Sequence, residues 1–117
     1  MDDLIRRLSA GERWPNDNAE VLKALGYSHR WVGGEVTSTY KGDKLFVNRG
    51  LFPLSSVDDA LRLVPEGWRL FDLYDRGDEG WGGRLYRPGD IIGSIKDGTG
   101  PTAAIVLTIA ILEASRG

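Results

Sequence analysis

Gly98-Thr99-Gly100-Pro101-Thr102-Ala103 matches the G-x-G-x-x-G/A pattern and falls between an expected strand and an expected helix. A dinucleotide-binding loop would hold its pyrophosphate at such a place. That chemistry also needs a further parallel strand and an acidic side chain about 20 residues on to hold the ribose. Only the helix follows here. The expectation is therefore a glycine turn, with Pro101 opening the helix where its missing N–H costs nothing. At most a lone anion would rest on the free amides, and no cofactor site is expected.

Asp72, Asp75, Asp78 and Glu79 are the nearest approach to a cation site. A calcium loop wants acids at alternate positions, glycine at the sixth and glutamate at the twelfth. Asp75-Arg76-Gly77-Asp78-Glu79 has a base near its centre and fits neither spacing, so a solvated turn is expected and no metal. Asp72 lies between Phe71 and Leu73 in a strand and must face water or find a partner such as Arg69 or Arg84. His29 is the one histidine and there is no cysteine. Thiolate catalysis, disulfides and cysteine-based metal sites are thereby excluded. A serine triad would have to use His29, yet no serine stands in a G-x-S-x-G elbow. His29, between Ser28 and Arg30, reads as a surface residue, and no catalytic residue is assigned.

The four tryptophans carry more information. Trp68 follows a turn and should plug the core, and Trp81 beside Gly82-Gly83 should stack over bare backbone. Trp14 and Trp31 stand in loop-like surroundings next to Arg13 and Arg30. Exposed tryptophan with arginine is the composition of interface hot spots, so Arg13, Trp14, Arg30 and Trp31 are the expected partner-binding residues. Trp68-Arg69 and Tyr86-Arg87 repeat the interleaving, which would also stack single-stranded bases.

These residues sit in a chain of 117, the size of one domain. Fifteen bases against 17 acids give a net charge of −2, which disfavours a nonspecific grip on phosphate backbones. The opening Met-Asp-Asp-Leu-Ile-Arg-Arg has no apolar secretory core, so a cytoplasmic protein is expected.

The elements that must position them are organised around the last one. From Ala103 to Leu112 only Thr108 is polar, so the helix expected over 101–115 is apolar nearly all round and belongs in an interior. It is too short for a bilayer, which takes about 20 residues. Earlier, Asp2 or Asp3 should cap a helix carrying Leu4, Ile5 and Leu8, ending at Gly11. Asp17 as N-cap with Glu20 predicts a capping box for a second helix, closed at Gly26. Residues 1–26 thus form a helical hairpin. Residues 27–52 are a variable β/loop segment in which Glu35–Lys41 and Leu45–Val47 form a hairpin, the first strand being polar enough for an edge or flap. Residues 55–117 form the core: a helix from Ser55 or Ser56 with the stripe Val57, Ala60, Leu61, Val64, strands over 68–74, 81–87 and 91–96, and the closing helix. The expected fold is α+β, a single domain in which a helical N-terminal hairpin joins an α-β-β-β-α antiparallel-sheet sandwich around a central C-terminal helix.

Three segments also carry a resemblance. They are Leu4-Ile5-Arg6-Arg7-Leu8 with Asn18-Ala19-Glu20 and Ala24-Leu25-Gly26, then Ser56-Val57-Asp58-Asp59-Ala60-Leu61-Arg62-Leu63-Val64-Pro65-Glu66-Gly67-Trp68, and Gly100-Pro101-Thr102-Ala103-Ala104 with Ile109-Ala110-Ile111-Leu112. In that order the chain resembles small phage and prophage proteins of the phage ABA sandwich domain group. The match omits Trp31–Phe52. The resemblance implies an α/β sandwich and a phage origin, and brings no activity with it. The expected function is that of a non-enzymatic accessory protein that binds another protein, with a homodimer suggested by the surplus apolar surface of the last helix. The alternative is a nucleic-acid module, since α-β-β-β-α is also the order of double-stranded RNA-binding domains. Such domains grip phosphates with lysines opening the last helix, where this chain has Gly-Pro-Thr-Ala-Ala. A small enzyme is the least supported reading.

Overall fold

A computed structural model describes residues 1–89 and 95–116. In chain order the elements are α1 (Asp2–Ser9), α2 (Asp17–Ala24), β1 (Tyr27–Val32), β2 (Glu35–Lys41), β3 (Lys44–Val47), α3 (Val57–Leu61), β4 (Arg69–Asp75), β5 (Trp81–Tyr86), β6 (Ile95–Gly100) and α4 (Ala103–Arg116). Two three-stranded antiparallel sheets, β1-β2-β3 and β4-β5-β6, are combined with four α-helices, so the fold is α+β.

Helix α4 organises both hydrophobic clusters. Every residue from Ala104 to Leu112 is buried, because α4 meets a sheet on one side and helices on the others. Leu107, Ala110, Ile111 and Ala114 join Leu22, Leu51, Ala60, Leu63, Trp68 and Leu85. Ile105, Ile109 and Leu112 join Leu4, Leu8, Val21 and Leu54. Thr108, the polar exception, places its hydroxyl 2.8 Å from the Ala104 carbonyl oxygen and 3.2 Å from that of Pro53. Buried hydroxyls need such partners. The surplus apolar surface that suggested a homodimer is covered within one chain.

What lets α4 lie so close to the sheet is missing side chains. A Cβ on Gly98 would stand 2.5 Å from the Val106 carbonyl oxygen and 2.8 Å from Ile109 Cβ. One on Gly83 would stand 2.8 Å from Leu73 Cδ2 and 3.1 Å from Val106 Cγ2. Gly83 and Gly98 are direct cross-strand partners. Together they form a bare patch of sheet into which the helix ridge of Val106 and Ile109 settles. The expected glycine turn is therefore corrected: Gly98, Thr99 and Gly100 are strand, paired with Gly83, Gly82 and Trp81. The last strand is Ile95–Gly100 rather than 91–96, and residues 91–94 of that expectation lie outside the described residues. The helix begins at Ala103, with the Thr102 hydroxyl accepting a hydrogen bond from Ile105 N at 3.2 Å.

Helices α1 and α2 both lean on α4, and Gly26 takes φ +87 just past the second, as a C-terminal glycine does. Neither is capped by a side chain; their N-caps are Met1 and Asn16 rather than the aspartates expected. The capping box at Asp17 and Glu20 does not form because the Asp17 carboxylate is engaged elsewhere. Helix α3 is capped as expected, Ser56 Oγ accepting from Asp59 N at 3.2 Å. It is short, however, and the side chain it leaves in the core beyond its end is Leu63, while Leu61 is exposed.

Residues 27–52 form a meander with β2 at its centre. The polar strand expected as an edge is internal, flanked by a strand over 27–32 for which the sequence shows no strand pattern. Its polar residues are used: Thr39 is fully buried and donates to the Arg49 carbonyl at 2.9 Å. The segment after β3 latches this sheet to the rest. His29 Nε2 lies 2.8 Å from the Leu51 carbonyl oxygen, Phe52 N donates to Asp59 at 2.9 Å, and Leu54 N donates to Asn18 at 3.0 Å. Leu51 and Leu54 are thereby held in the two hydrophobic clusters.

Gly98→Ala is expected to lower stability by about 1–3 kcal/mol, because the added methyl meets backbone that cannot move aside. Thr99→Ala, at the exposed neighbouring position, should stay within about 0.5 kcal/mol of the parent. Urea midpoints of the two variants check this. Equal midpoints would show that the helix is not seated on Gly98.

Candidate interaction site

The junction of α1 and α2 is held by a buried ion pair. Arg7 Nη1 and Nη2 donate to the two Asp17 carboxylate oxygens at 3.2 and 3.0 Å, with side chains 5% and 1% exposed. Trp14 N donates to Asp17 Oδ2 at 2.7 Å, and Arg7 Nε reaches Asp3 at 3.4 Å. Burial pushes the Asp17 carboxyl up, but the hydrogen bonds from Arg7 and Trp14 N and the charges of Arg7 and Arg13 outweigh it. The net result is a carboxyl below the ordinary carboxylate range. The Asp17 hydrogen bond raises Arg7 in turn, against a smaller opposing effect of burial.

Trp14 covers this pair. The Arg7 guanidinium carbon stands 3.8 Å from the centroid of its ring, while the residue remains 58% exposed. The arginine under Trp14 is thus not its chain neighbour. Arg13 instead points its Nε toward Asp17 at 3.9 Å. Beside Trp14 opens a cleft of about 480 Å³ whose walls include Leu4, Arg7, Pro15, Asp17 and Glu20. A second hollow of about 320 Å³ shares Met1, Leu4 and Glu20 with it and continues to Lys23 and Ala24. Together they make one trough between α1 and α2, with Trp14 at its head.

Trp31 lies on β1 rather than in a loop, and is 62% exposed. It shares a strand face with His29, their rings 6.4 Å apart at a steep angle, and His29 is 5.3 Å from Phe52. Cross-strand Val36 and exposed Phe52 extend this apolar face. Arg30 points the other way, donating to the Tyr40 hydroxyl at 3.0 Å with its guanidinium 5.7 Å from that ring. Neither Arg13–Trp14 nor Arg30–Trp31 acts as a stacked pair, since alternation along β1 separates the latter.

The other candidates resolve into structure. Asp72 finds Arg84, one of the two partners allowed for it, through hydrogen bonds of 2.9 and 2.5 Å. Those bonds hold its carboxyl below the ordinary value. Arg84 lies 4.8 Å from the Phe71 ring and 5.6 Å from Tyr74. Asp75 accepts from Gly77 N at 2.8 Å and Arg76 pairs with Glu79 at 3.0 Å, which makes 75–80 a self-bonded polar turn. Among the described residues no three acids or histidines converge as a metal would require. Trp68 is in the core as expected, with the Arg87 guanidinium 4.7 Å from its ring. Tyr74, not Trp81, lies across the bare Gly82 backbone.

Sequence reasoning missed Arg7, whose i,i+10 relation to Asp17 has no local signature. It also missed Asp59, which is buried and paired with Arg49 at 2.7 Å. Burial raises that carboxyl too, and Arg49 together with Phe52 N brings it below the ordinary range.

Folded-state values depressed in this way add stability that is complete above the unfolded carboxylate value of about 4 and is lost as pH falls through the folded values. Urea midpoints should therefore hold above that point and drop steeply beneath it. Asp17→Asn, which leaves the buried Arg7 without its two-point countercharge, should flatten that drop and lower the neutral-pH midpoint several-fold more than Asp3→Asn. An unchanged acid slope in Asp17→Asn would show that the pair does not govern the acid limb. No helix among the described residues is long and apolar enough to cross a membrane. No family model, curated protein or solved structure matches the chain.

Proposed function

We propose that this chain is a non-enzymatic interaction module, a phage or prophage accessory protein working in the cytoplasm of a bacterial host, that binds another protein through Trp14 and Trp31. The carrying observation is the exposure of these two tryptophans, 58% and 62%, in a chain that encloses Trp68. Tryptophan left in solvent forfeits the largest burial gain available to a side chain. It is also the residue type that most often dominates binding energy at protein interfaces. Each one stands at a shaped feature: Trp14 heads the trough between α1 and α2, and Trp31 extends the His29–Phe52 face. The phage origin rests on the sequence resemblance.

Stacking of nucleic-acid bases is disfavoured by how the arginines are used. Those under Trp14 and beside Phe71 are neutralised by Asp17 and Asp72, which weakens their pull on phosphate.

Two measurements test the reading. Titration at low salt with single- and double-stranded DNA and RNA should give no binding at micromolar concentrations; saturable binding there would replace the reading with the nucleic-acid one. Affinity capture from host lysate should retain a protein whose recovery falls at least about tenfold with Trp31→Ala or Trp14→Phe, the loss typical of a hot-spot residue. Recovery indifferent to both substitutions would reject it.

A further inference from the structure

The edge strand of a sheet carries backbone N–H and C=O groups that no neighbouring strand uses, and proteins blunt such edges against pairing. Three of the four edges here are blunted. β3 is four residues long and bulged at Phe46, where its register with β2 shifts. β4 is bulged at Phe71, which the register with β5 skips between Leu70 and Asp72. α1 packs against β6. β1 is different. The irregularity in its pairing with β2 falls on β2, at Thr37, so β1 runs regularly from Tyr27 to Val32, and it contains neither proline nor lysine. Of the elements outside its sheet only α2 packs appreciably against it, and Ser28, Arg30, Trp31 and Val32 remain exposed.

The phase of the β1–β2 ladder decides which groups are left over. Gly42 N donates to the Gly26 carbonyl at 3.2 Å, so residues 26 and 42 form a hydrogen-bonded pair. By alternation 28–40 and 30–38 are hydrogen-bonded pairs too. At the far end Val32 and Glu35 flank the Gly33-Gly34 turn, the positions a two-residue turn bonds to each other. Tyr27, His29 and Trp31 therefore turn their backbone N–H and C=O away from β2, and among the described residues these groups have no hydrogen bond. A row of alternating donors and acceptors at this spacing is satisfied by another extended strand. The row is also self-complementary. Laid antiparallel on its own copy about His29, it sets Trp31 opposite Tyr27 of the second copy, Tyr27 opposite Trp31, and His29 opposite His29. Any other register leaves at least one of the three without its match. Aromatic pairs placed in this way stabilise a ladder, and on the opposite face Arg30 meets Ser28 of the second copy instead of a like charge. We infer that β1 pairs with β1 of a second copy, joining two three-stranded sheets into one of six strands about a two-fold axis. The inference rests on the interaction-module reading and names what Trp31 meets, leaving Trp14 to a different partner.

The test uses the unaltered full chain, at about pH 8, where an ordinary imidazole is uncharged. Its mass by sedimentation equilibrium should rise from 12.9 kDa toward twice that value as the concentration reaches about 100 µM. Amide exchange over the same range should slow at Tyr27, His29 and Trp31 and change little at Ser28 and Arg30, whose amides β2 already holds. Ser28→Lys, at an exposed position, places two like-charged pairs with Arg30 across the axis and should weaken dimerisation about fivefold, while Ser28→Glu should strengthen it. A chain still monomeric at about 1 mM, a dimer whose three edge amides exchange as they do in dilute solution, or equal dimer constants for the two Ser28 variants would each overturn the inference. If the edge fails in any of these ways while Trp31→Ala or Trp14→Phe still lowers capture of another protein, the interaction-module reading stands. If neither tryptophan affects capture, that reading fails whatever the mass.

Discussion

A helix that is apolar on every side can persist in water only if every side is covered, and the molecule is arranged to meet that condition for α4. One flank lies on the β4-β5-β6 sheet, and α1, α2 and α3 close the others. Contact with the sheet depends on Gly83 and Gly98, paired across neighbouring strands at the point where Val106 and Ile109 cross. Dispersion and desolvation act over ångström distances, so a helix held off by side chains would lose part of both. The glycines that imitate a phosphate-binding loop are a seat for a helix.

Once α4 is enclosed, the remaining parts are fixed to it by polar ties at a few points. Arg7–Asp17 joins the two N-terminal helices, Arg49–Asp59 with Phe52 N joins the loop after β3 to α3, and Arg116 reaches Asp2 from the far end of α4. Of these three, Arg7–Asp17 is buried on both sides; such a pair adds little net stability over an apolar equivalent, but breaking it from a single side is costly. The same arrangement leaves Trp14 half outside. It shields the Arg7–Asp17 pair with one face and offers the other to solvent, so a structural lid and a binding anchor are one side chain.

Much of the architecture is legible in the sequence because it depends on local patterns. The apolar run of α4, the Ser56 cap, the stop at Pro65-Glu66-Gly67 and the β4–β5 hairpin all have signatures within a few residues. What is illegible depends on distant contacts. A strand over 27–32 is hidden because its inward residues, Tyr27 and His29, are amphipathic and its outward ones are mixed. Asp17 looks like a helix cap, since nothing within ten residues shows that Arg7 will claim its carboxylate. Gly98 and Gly100 read as a turn because glycine has two uses, freedom of backbone angle and absence of bulk, and only the position of α4 shows which applies. For the candidate site, exposure of Trp14 and Trp31 is readable from their polar surroundings. Their partners Arg7, His29 and Phe52 are not, because adjacency along the chain is a poor guide to adjacency across a strand or between helices.

Native-state hydrogen exchange tests the central claim most directly. If α4 is interior on all sides, its amides from Val106 to Ile111 can exchange only when the whole molecule unfolds, and their exchange free energies should equal the global unfolding free energy and track it in denaturant. Exchange of those amides by a local opening well below the global value, at a level shared with the outer helix α1, would contradict the account.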